Sequence, residues 1–578
     1  MDIVSYFDSP QNLYHKQYAA VRSFLYEKKS AQDVAKKYGY TKATIYSMVR
    51  DFKDLFAKKE LDDYLFSKEQ LGRPEKISAI QIKDKIISLR KHYLSVEEIK
   101  ENLDAQGDKV SETFIYNSIK SAGFARLPKR NKLVKTDIHS NIKIEAPATE
   151  MLKGSCELFN SSNVGLLCFL PLIKTYGIDS LIINSSYPET KTIPKINSIL
   201  SFIALKLSNI KRYSKDDLWC MDRGLGLFAG LNVLPKTTWF SSYSHRVTRD
   251  MNMSFLREMN KLWQKNGLLS DTANLDFTAV PYWGDDSHLE NNWSGTRHKA
   301  LASILAAIAH DPDSGIITYG DADVKHDNES DIVVEFLDFY KTNGTNNLKY
   351  LVFDSKFTTY QNLRKLDDNN TKFITIRRRG EKIVSDLEKL PNSAWKQIRV
   401  MSGTGKKRLL KVNDQNVFLR DYGKELRQIA ITGNGKIKPG LIITNDFELS
   451  QTDIVRKYAL RWLVEKTISE QAHFFHFNKI SSSMVIKVDF DLTMTILAYN
   501  IYRLLAKELP RYTHQTAEKL YERFISNSGK VVINENEIEV LLKKKRHLPA
   551  ILSAMKRFAT CNIEWLGKKI NILAASSS

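Results

Sequence analysis

The 578-residue chain is poor in cysteine. Its four cysteines, Cys156, Cys168, Cys220 and Cys561, stand far apart, form no CxxC pair and have no histidine partner at ligand spacing. A disulfide framework or zinc site is therefore excluded, and a reducing cytosol fits best. Long apolar runs are missing too. The longest, Val164 to Ile173, has ten residues and contains Pro171, about half a membrane span. The start, Met1-Asp2-Ile3-Val4, lacks the basic and apolar stretches of a secretory signal, so no membrane partner is expected. A glycine-bearing segment, Asp222 to Pro235, lacks the Lys-Ser/Thr of a phosphate loop and reads as packing, so no small-molecule cofactor is expected.

Positive charge, by contrast, is in excess. There are 87 Lys and Arg against 66 Asp and Glu, a formal charge of +21, which makes nucleic acid the natural partner. The length calls for three to five modules rather than one core.

Residues 12–52 read as a helix-turn-helix. Tyr14 to Tyr26 is amphipathic, Ser30 caps Ala31 to Tyr38, Gly39 supplies the turn and Thr41 caps the next helix. Lys42, Thr44, Tyr46 and Arg50 then face outward, as on a recognition helix in a major groove. An ordinary helical hairpin is the alternative. A second unit has helices from Ile77 to Tyr93, Val96 to Leu103 and Glu112 to Ser121. Gly72-Arg73-Pro74 between the units could lie along a minor groove. Arg126 to Lys132, with Lys129 and Arg130, suits phosphate contact.

After a helical stretch, the pattern changes at residue 271 to alternating strands and helices. Leu275 to Val280 and Tyr350 to Asp354 read as strands bearing Asp276 and Asp354, 78 residues apart. Carboxylates at central strand positions are costly unless they meet a cation, which suggests a shared hard-cation site. Asp285, Asp286, His288 and Asp323 are rival ligands. A later helix puts Tyr458, Arg461 and Glu465 on one face, with Glu470 about 140° round from Glu465. A plain Arg461–Glu465 surface pair remains the alternative.

Several ordered pieces resemble one family: Asp276 with Pro281-Tyr282-x-Gly284-Asp285-Asp286, Val352 to Tyr360, Ile374 to Arg379, Ile443 to Asp446, Tyr458-x-x-Arg461-x-x-x-Glu465, and Val488 to Leu492. The chain resembles bacterial insertion-sequence transposases of the DDE class over roughly residues 195–510. The resemblance implies a multidomain α/β protein. It would have a ribonuclease H-like catalytic core with a β-rich insertion, preceded by helical helix-turn-helix DNA-binding domains. It further implies Asp276, Asp354 and Glu465 as catalytic metal ligands for two Mg²⁺ (or Mn²⁺) ions, with Tyr458 and Arg461 gripping phosphate. The family's lysine seven residues after the glutamate is Ala472 here, leaving Lys466 or Lys479 for that role.

Residues 371–440 hold 17 Lys and Arg against 6 Asp and Glu, so +11 of the +21 lies in 70 residues. Strands are expected at Trp395 to Met401, Arg408 to Val412, Val417 to Asp421 and Leu426 to Thr432. Arg377, Arg378, Arg379, Lys406, Lys407 and Arg408 would offer a platform for the DNA backbone, and a solvated cationic face is the alternative. Trp395 reads as core rather than as a stacking partner for a base.

The expected plan is a helix-turn-helix domain (1–56), a linker (57–76), a second such domain (77–125), a basic linker (126–150) and a helical domain (151–268). The core follows in two parts (269–378 and 441–500) around a β insertion (379–440), with a helical C-terminal region (501–578). The expected function is transposition in a bacterial cytoplasm. Partners would be double-stranded element ends and target DNA, with a homodimer or higher multimer as the working form. A transposase-derived regulator without catalysis and a site-specific nuclease are the competing readings.

Overall fold

The computed structural model describes residues 13–58, 82–122 and 157–576, interrupted at 84, 88, 91–93, 106–107, 191, 211–217, 283–288, 295–297, 343–347, 355, 357–358, 402–406, 434–438 and 478–484. The chain divides into two compact units, residues 1–81 and 82–578.

In the first unit, α1 (Leu13–Leu25), α2 (Ala31–Tyr38) and α3 (Lys42–Lys58) enclose Ala20, Val34, Ala35, Ile45 and Val49. Ser30 opens α2 by accepting from the Asp33 amide at 3.2 Å, and Gly39 closes it at φ 66°. A side chain resists that left-handed conformation, so glycine sets the turn. Thr41 accepts from the Thr44 amide at 3.1 Å and opens α3.

The second unit begins with a small helical module containing α4 (Val96–Ala105) and α5 (Glu112–Ser121). Ser95 and Glu98 satisfy each other's amides at 3.2 and 2.7 Å, a reciprocal cap that fixes where α4 starts. Ile86, Ile99, Leu103, Ile115 and Ile119 form its interior.

From residue 157 the chain builds two sheets. The larger has ten strands: β2 (Thr272–Pro281), β3 (Asn291–Ser294), β4 (Lys299–His310), β5 (Ile317–Val324), β6 (Tyr350–Phe353), β7 (Lys372–Ile376), β8 (Lys396–Met401), β9 (Lys407–Leu419), β10 (Lys424–Thr432) and β11 (Gly440–Thr444). Their order is β3-β4-β2-β6-β7-β11-β10-β9-β8, with β5 also on β4. The β2–β6 and β6–β7 pairs are parallel and the rest antiparallel. Parallel neighbours need a crossover, and α8 (Ile332–Thr342) and α9 (Tyr360–Asp368) lie in those connections.

Alternation along each strand assigns its faces. Leu351, Phe353 and Phe373 join the large core with Leu363 and Leu366 of α9. Tyr350, Val352, Ile374 and Ile442 point the other way, toward Ile454 and Val455 of α11 (Gln451–Leu460). The helix α13 (Val485–Glu508) is apolar nearly all round and buried along the whole of Leu492 to Ala498, polar Thr493 and Thr495 included, the pattern of a central helix. It lies close on β5, where a side chain at Gly320 would run into Ile496 and Leu492.

Three expectations are corrected. The region after 501 is not helical throughout. β12 (Gly529–Ile533), β13 (Glu537–Leu542), β14 (Asn562–Ile563) and β15 (Lys568–Ala574) form a second sheet in the order β1-β12-β13-β15-β14. Its edge, β1 (Glu157–Ser161), comes from the stretch expected to be all helical. The period-two burial of Glu537 to Leu542 marks a strand, but the pairing of β12 with a segment 368 to 376 residues upstream has no local signature.

The 379–440 segment opens with a helix, α10 (Glu381–Glu388), and its strands extend the main sheet rather than standing apart. Within it, 408–412 and 417–421 are not two strands but parts of the single strand β9. The polar stretch Asn413 to Asn416 resembles a turn, yet it pairs in register with β10 and its Asp414 is held by Arg427.

At Gly529, β12 passes so close to β13 that an added Cβ would overlap the Leu541 carbonyl. Gly529→Ala is expected to cost about 1–3 kcal/mol by overpacking, read as lower thermal and urea midpoints of the full chain.

Candidate active site

The parallel register pairs Asn274 of β2 with Val352 of β6, so continuing by two residues puts Asp276 beside Asp354, just past the end of β6. Both follow the alternation onto the α11 face. On that face the Asn274 side-chain amide donates to the Leu460 carbonyl at 3.1 Å, tying the end of α11 to β2. A second helix, α12 (Trp462–His473), continues from α11 through Arg461.

Arg461 occupies the centre of the arrangement. Its Nη1 donates to Asp276 Oδ2 at 2.7 Å and its Nη2 to Glu465 Oε1 at 3.1 Å. The guanidinium also lies 5.6 Å from the centre of the Tyr458 ring. The Arg461 side chain is 11% exposed and that of Asp276 18%, whereas Glu465 is 44% exposed. The arginine is thus a buried bridge rather than half of a surface pair.

Burial pushes the Asp276 carboxyl up to about 6. Arg461 and the Phe277 amide oppose the rise, and the charges of Glu465 and Asp354 add to it. Burial likewise pushes the Tyr458 hydroxyl up to about 12, so it stays protonated and able to donate. Burial disfavours the Arg461 charge, but the charge of Asp276, together with Tyr458, Asp354 and Glu465, outweighs it and holds the guanidinium protonated.

Asp276, with the charges of Glu465 and Asp354 felt at its carboxyl, belongs to a set of oxygen donors suited by chemistry to a hard divalent cation. Among the described residues no three acidic or histidine groups already stand in metal-holding geometry. Arg461 lies between Asp276 and Glu465 and supplies the countercharge itself. Divalent binding by Asp276, Asp354 and Glu465 therefore requires the guanidinium to turn away.

Glu470 faces elsewhere, its Oε2 accepting from the Ala517 amide at 2.8 Å. Of the rival ligands, Asp323 belongs to a separate network on β5, donating its amide to Asp321 Oδ1 at 2.9 Å. Asp285, Asp286 and His288 lie outside the described residues, as do Arg73, Lys129, Arg130, Lys406 and Lys479.

The remaining expected DNA contacts divide. Lys42, Tyr46 and Arg50 are exposed on α3, but Thr44 shares a 2.7 Å hydrogen bond with Thr41 at the start of that helix. Arg377 is half-buried and donates to Gln428 at 2.6 Å, whereas Arg378 and Arg379 are exposed just beyond β7. Lys407 and Arg408 are exposed but adjacent on β9, hence on opposite faces of the sheet. Trp395 packs on Leu387, Ala430 and Leu441 beneath α10.

Two features escaped the sequence reading. Register places Arg399 of β8 opposite Leu409, on the face that also carries Lys407 and Lys411. The alternation of Ile398 and Val400 with Arg399 was the available signal. Trp462, directly after Arg461, is 66% exposed, an aromatic plane of the kind that stacks on bases.

Residues 275–501 match the family model described as the transposase DDE domain, a stretch that holds all three carboxylates. The match supports a DDE transposase and points to the DNA-cleaving and strand-transfer class of enzyme. No curated protein matches the chain. Among solved structures, a cryo-EM piggyBac transposase synaptic complex with hairpin DNA resembles it at TM-score 0.35 and 11% identity, over 66% of this chain and 81% of that one. That likeness is too distant to define a shared fold. No helix among the described residues is long and apolar enough to cross a membrane.

With Asp276 titrating near 6, divalent binding must compete with its proton as pH falls. The Mn²⁺ affinity of the metal-free protein is expected to decline by roughly tenfold per pH unit below pH 6. Calorimetry from pH 5 to 8 checks this, and a carboxylate titrating near 4 would instead give a flat profile down to pH 5.

Proposed function

We propose that this chain is a DNA transposase of an insertion sequence, binding element ends and cutting and joining DNA at Asp276, Asp354 and Glu465. The observation that carries the reading is the meeting of those three carboxylates' charges around one buried arginine, on the face of parallel strands β2 and β6. The strand order β5-β4-β2-β6-β7, with β4 antiparallel to both its neighbours and β2, β6 and β7 parallel, supports a ribonuclease H-like core. The capped helices of the first unit, with Lys42, Tyr46 and Arg50 outward, support a helix-turn-helix that reads DNA.

Two Mg²⁺ or Mn²⁺ ions, when bound, would activate a water or 3′-hydroxyl and neutralise charge on the reacting phosphate. Asp276 and Asp354, fixed on adjacent strands, orient one side of the site, and Glu465 closes it from the helix. Arg461, released from the carboxylates, has a DNA phosphate within its chemistry as a bidentate partner. Tyr458 stacks against the guanidinium and keeps a proton to donate. Arg399, Lys407 and Lys411 would hold the DNA backbone on the exposed face of β8 and β9.

Purified protein with its flanking-end duplex and Mg²⁺ tests the reading. Excised and joined product supports it. Retarded but uncut DNA would favour a regulator, and cut but unjoined DNA a nuclease. Asp354→Asn is expected to lower cleavage by about 10³-fold, the scale of losing a transition-state contact, while end binding in a mobility-shift assay stays unchanged. Replacing Arg399, Lys407 and Lys411 together by alanine should flatten the salt dependence of end binding by up to about three units of log-log slope. An unaltered slope would remove the inserted strands from the DNA interface.

A further inference from the structure

We propose that Arg427 is a positioning residue for the catalytic helix, transmitting the placement of the inserted strands to α11 and so setting where Tyr458, Arg461 and Glu465 stand. The inference rests on the transposase reading above.

Arg427 leaves β10 on the face toward α11, in line with Ile429 and Ile431. Its side chain is 11% exposed. One edge of the guanidinium grips Asp414 of β9, Nη2 to Oδ2 at 2.7 Å and Nε to the two carboxylate oxygens at 3.1 and 3.2 Å. The other edge, Nη1, reaches three carbonyls in succession: Leu449 at 2.5 Å, Phe447 at 3.3 Å and Asp446 at 3.4 Å. Gln451, the first residue of α11, donates to the same Asp414 oxygen at 2.9 Å.

A plain strand-to-strand ion pair would need only Asp414. The three carbonyls belong to the turn that delivers the chain to Ser450, and Ser450 caps α11 by accepting from the Asp453 amide at 3.1 Å. The same turn is held from its other side by Asp446, which accepts from the Glu448 and Leu449 amides and from the Tyr350 hydroxyl of β6. The helix that follows is ten residues long, about 15 Å at the standard rise, and its far end is tied to β2 by Asn274. A rigid rod whose entry turn is held by Arg427 and whose last residue is held by Asn274 has its direction fixed by those two points. Arg461 begins where it ends. On the opposite face of the inserted strands lie Arg399, Lys407 and Lys411, so a DNA load there acts on the same strands from which Arg427 grips the entry to α11.

The test uses the full chain, a labelled end duplex and Mg²⁺, with Arg427→Met and Arg427→Lys. For Arg427→Met the single-turnover cleavage rate at saturating DNA is expected to fall at least about tenfold, as a displaced catalytic group would cause. The end-DNA Kd should stay within about twofold. Hydrogen exchange at 446–460 should quicken, with β2 and β6 unchanged. Arg427→Lys, which keeps a charge for Asp414, should recover part of the rate. A normal maximal rate in Arg427→Met, or a loss expressed wholly as weaker DNA binding, overturns the inference. If Arg427→Met fails to fold, Asp414→Asn, which leaves the carbonyl contacts available, takes its place with the same readouts. If wild type and Asp354→Asn alike leave the duplex uncut, the transposase reading fails. Exchange at 446–460 then decides the positioning role alone, and an unchanged pattern refutes it.

Discussion

A carboxylate in the middle of a sheet must be compensated, and Arg461 is what compensates Asp276. Removing either partner from such a buried pair leaves a charge whose desolvation costs several kcal/mol. The pair therefore dictates geometry around it: the end of α11 must come down onto β2, and the next helix must begin within reach of Glu465. Asn274 and Leu460 make the close approach possible two residues before the carboxylate. Arg461 is shared between Asp276 and Glu465, so one guanidinium offsets only part of the charge that three carboxylates bring together.

The rest of the interior treats charge differently. Arg249 pairs with Asp321 at the edge of β5, and burial, then the charge of Asp321, pushes neighbouring Asp489 up to about 7. Asn252 donates to Asp489 at 2.7 Å. Lys206 and Asp491 form another buried pair, and Lys206 also donates to the Phe475 carbonyl at 3.3 Å. These groups fix α13 and the end of α12 against the core, and each is paired within the chain. The triad differs because its own cation is outnumbered by carboxylates.

Much of this was legible in sequence. A strand leading into Asp354 and the helical spacing of Tyr458, Arg461 and Glu465 are local patterns, although the one long helix expected there is broken at Arg461 into α11 and α12. Ser30, Gly39, Ser95 and Ser111 mark helix ends by side-chain chemistry confined to three or four residues, so they too could be read directly. What could not be read was long-range partnership. Nothing near Glu157 announces a strand whose partner is Ile533. Arg377 stands in a run of three arginines, but strand alternation turns it toward Gln428 while Arg378 stays exposed. The polarity of Asn413 to Asn416 mimicked a turn because the charge that satisfies Asp414 lies across the sheet on Arg427.

That last misreading has a physical meaning. A polar stretch inside a strand is tolerated only where a neighbour repays its desolvation, and here the neighbour is bonded to the turn that starts α11. A strand made wholly of apolar residues would have been easier to recognise, and it would have packed on α11 without specifying its direction. Apolar contact is non-directional, whereas a guanidinium that must meet a carboxylate and three carbonyls accepts few orientations. Ile454 and Val455 give the helix its adhesion to the sheet, and Arg427 and Asn274 give it an axis. A site built from two strand carboxylates and one helix carboxylate depends on that axis, since the strands cannot move to correct an error in the helix.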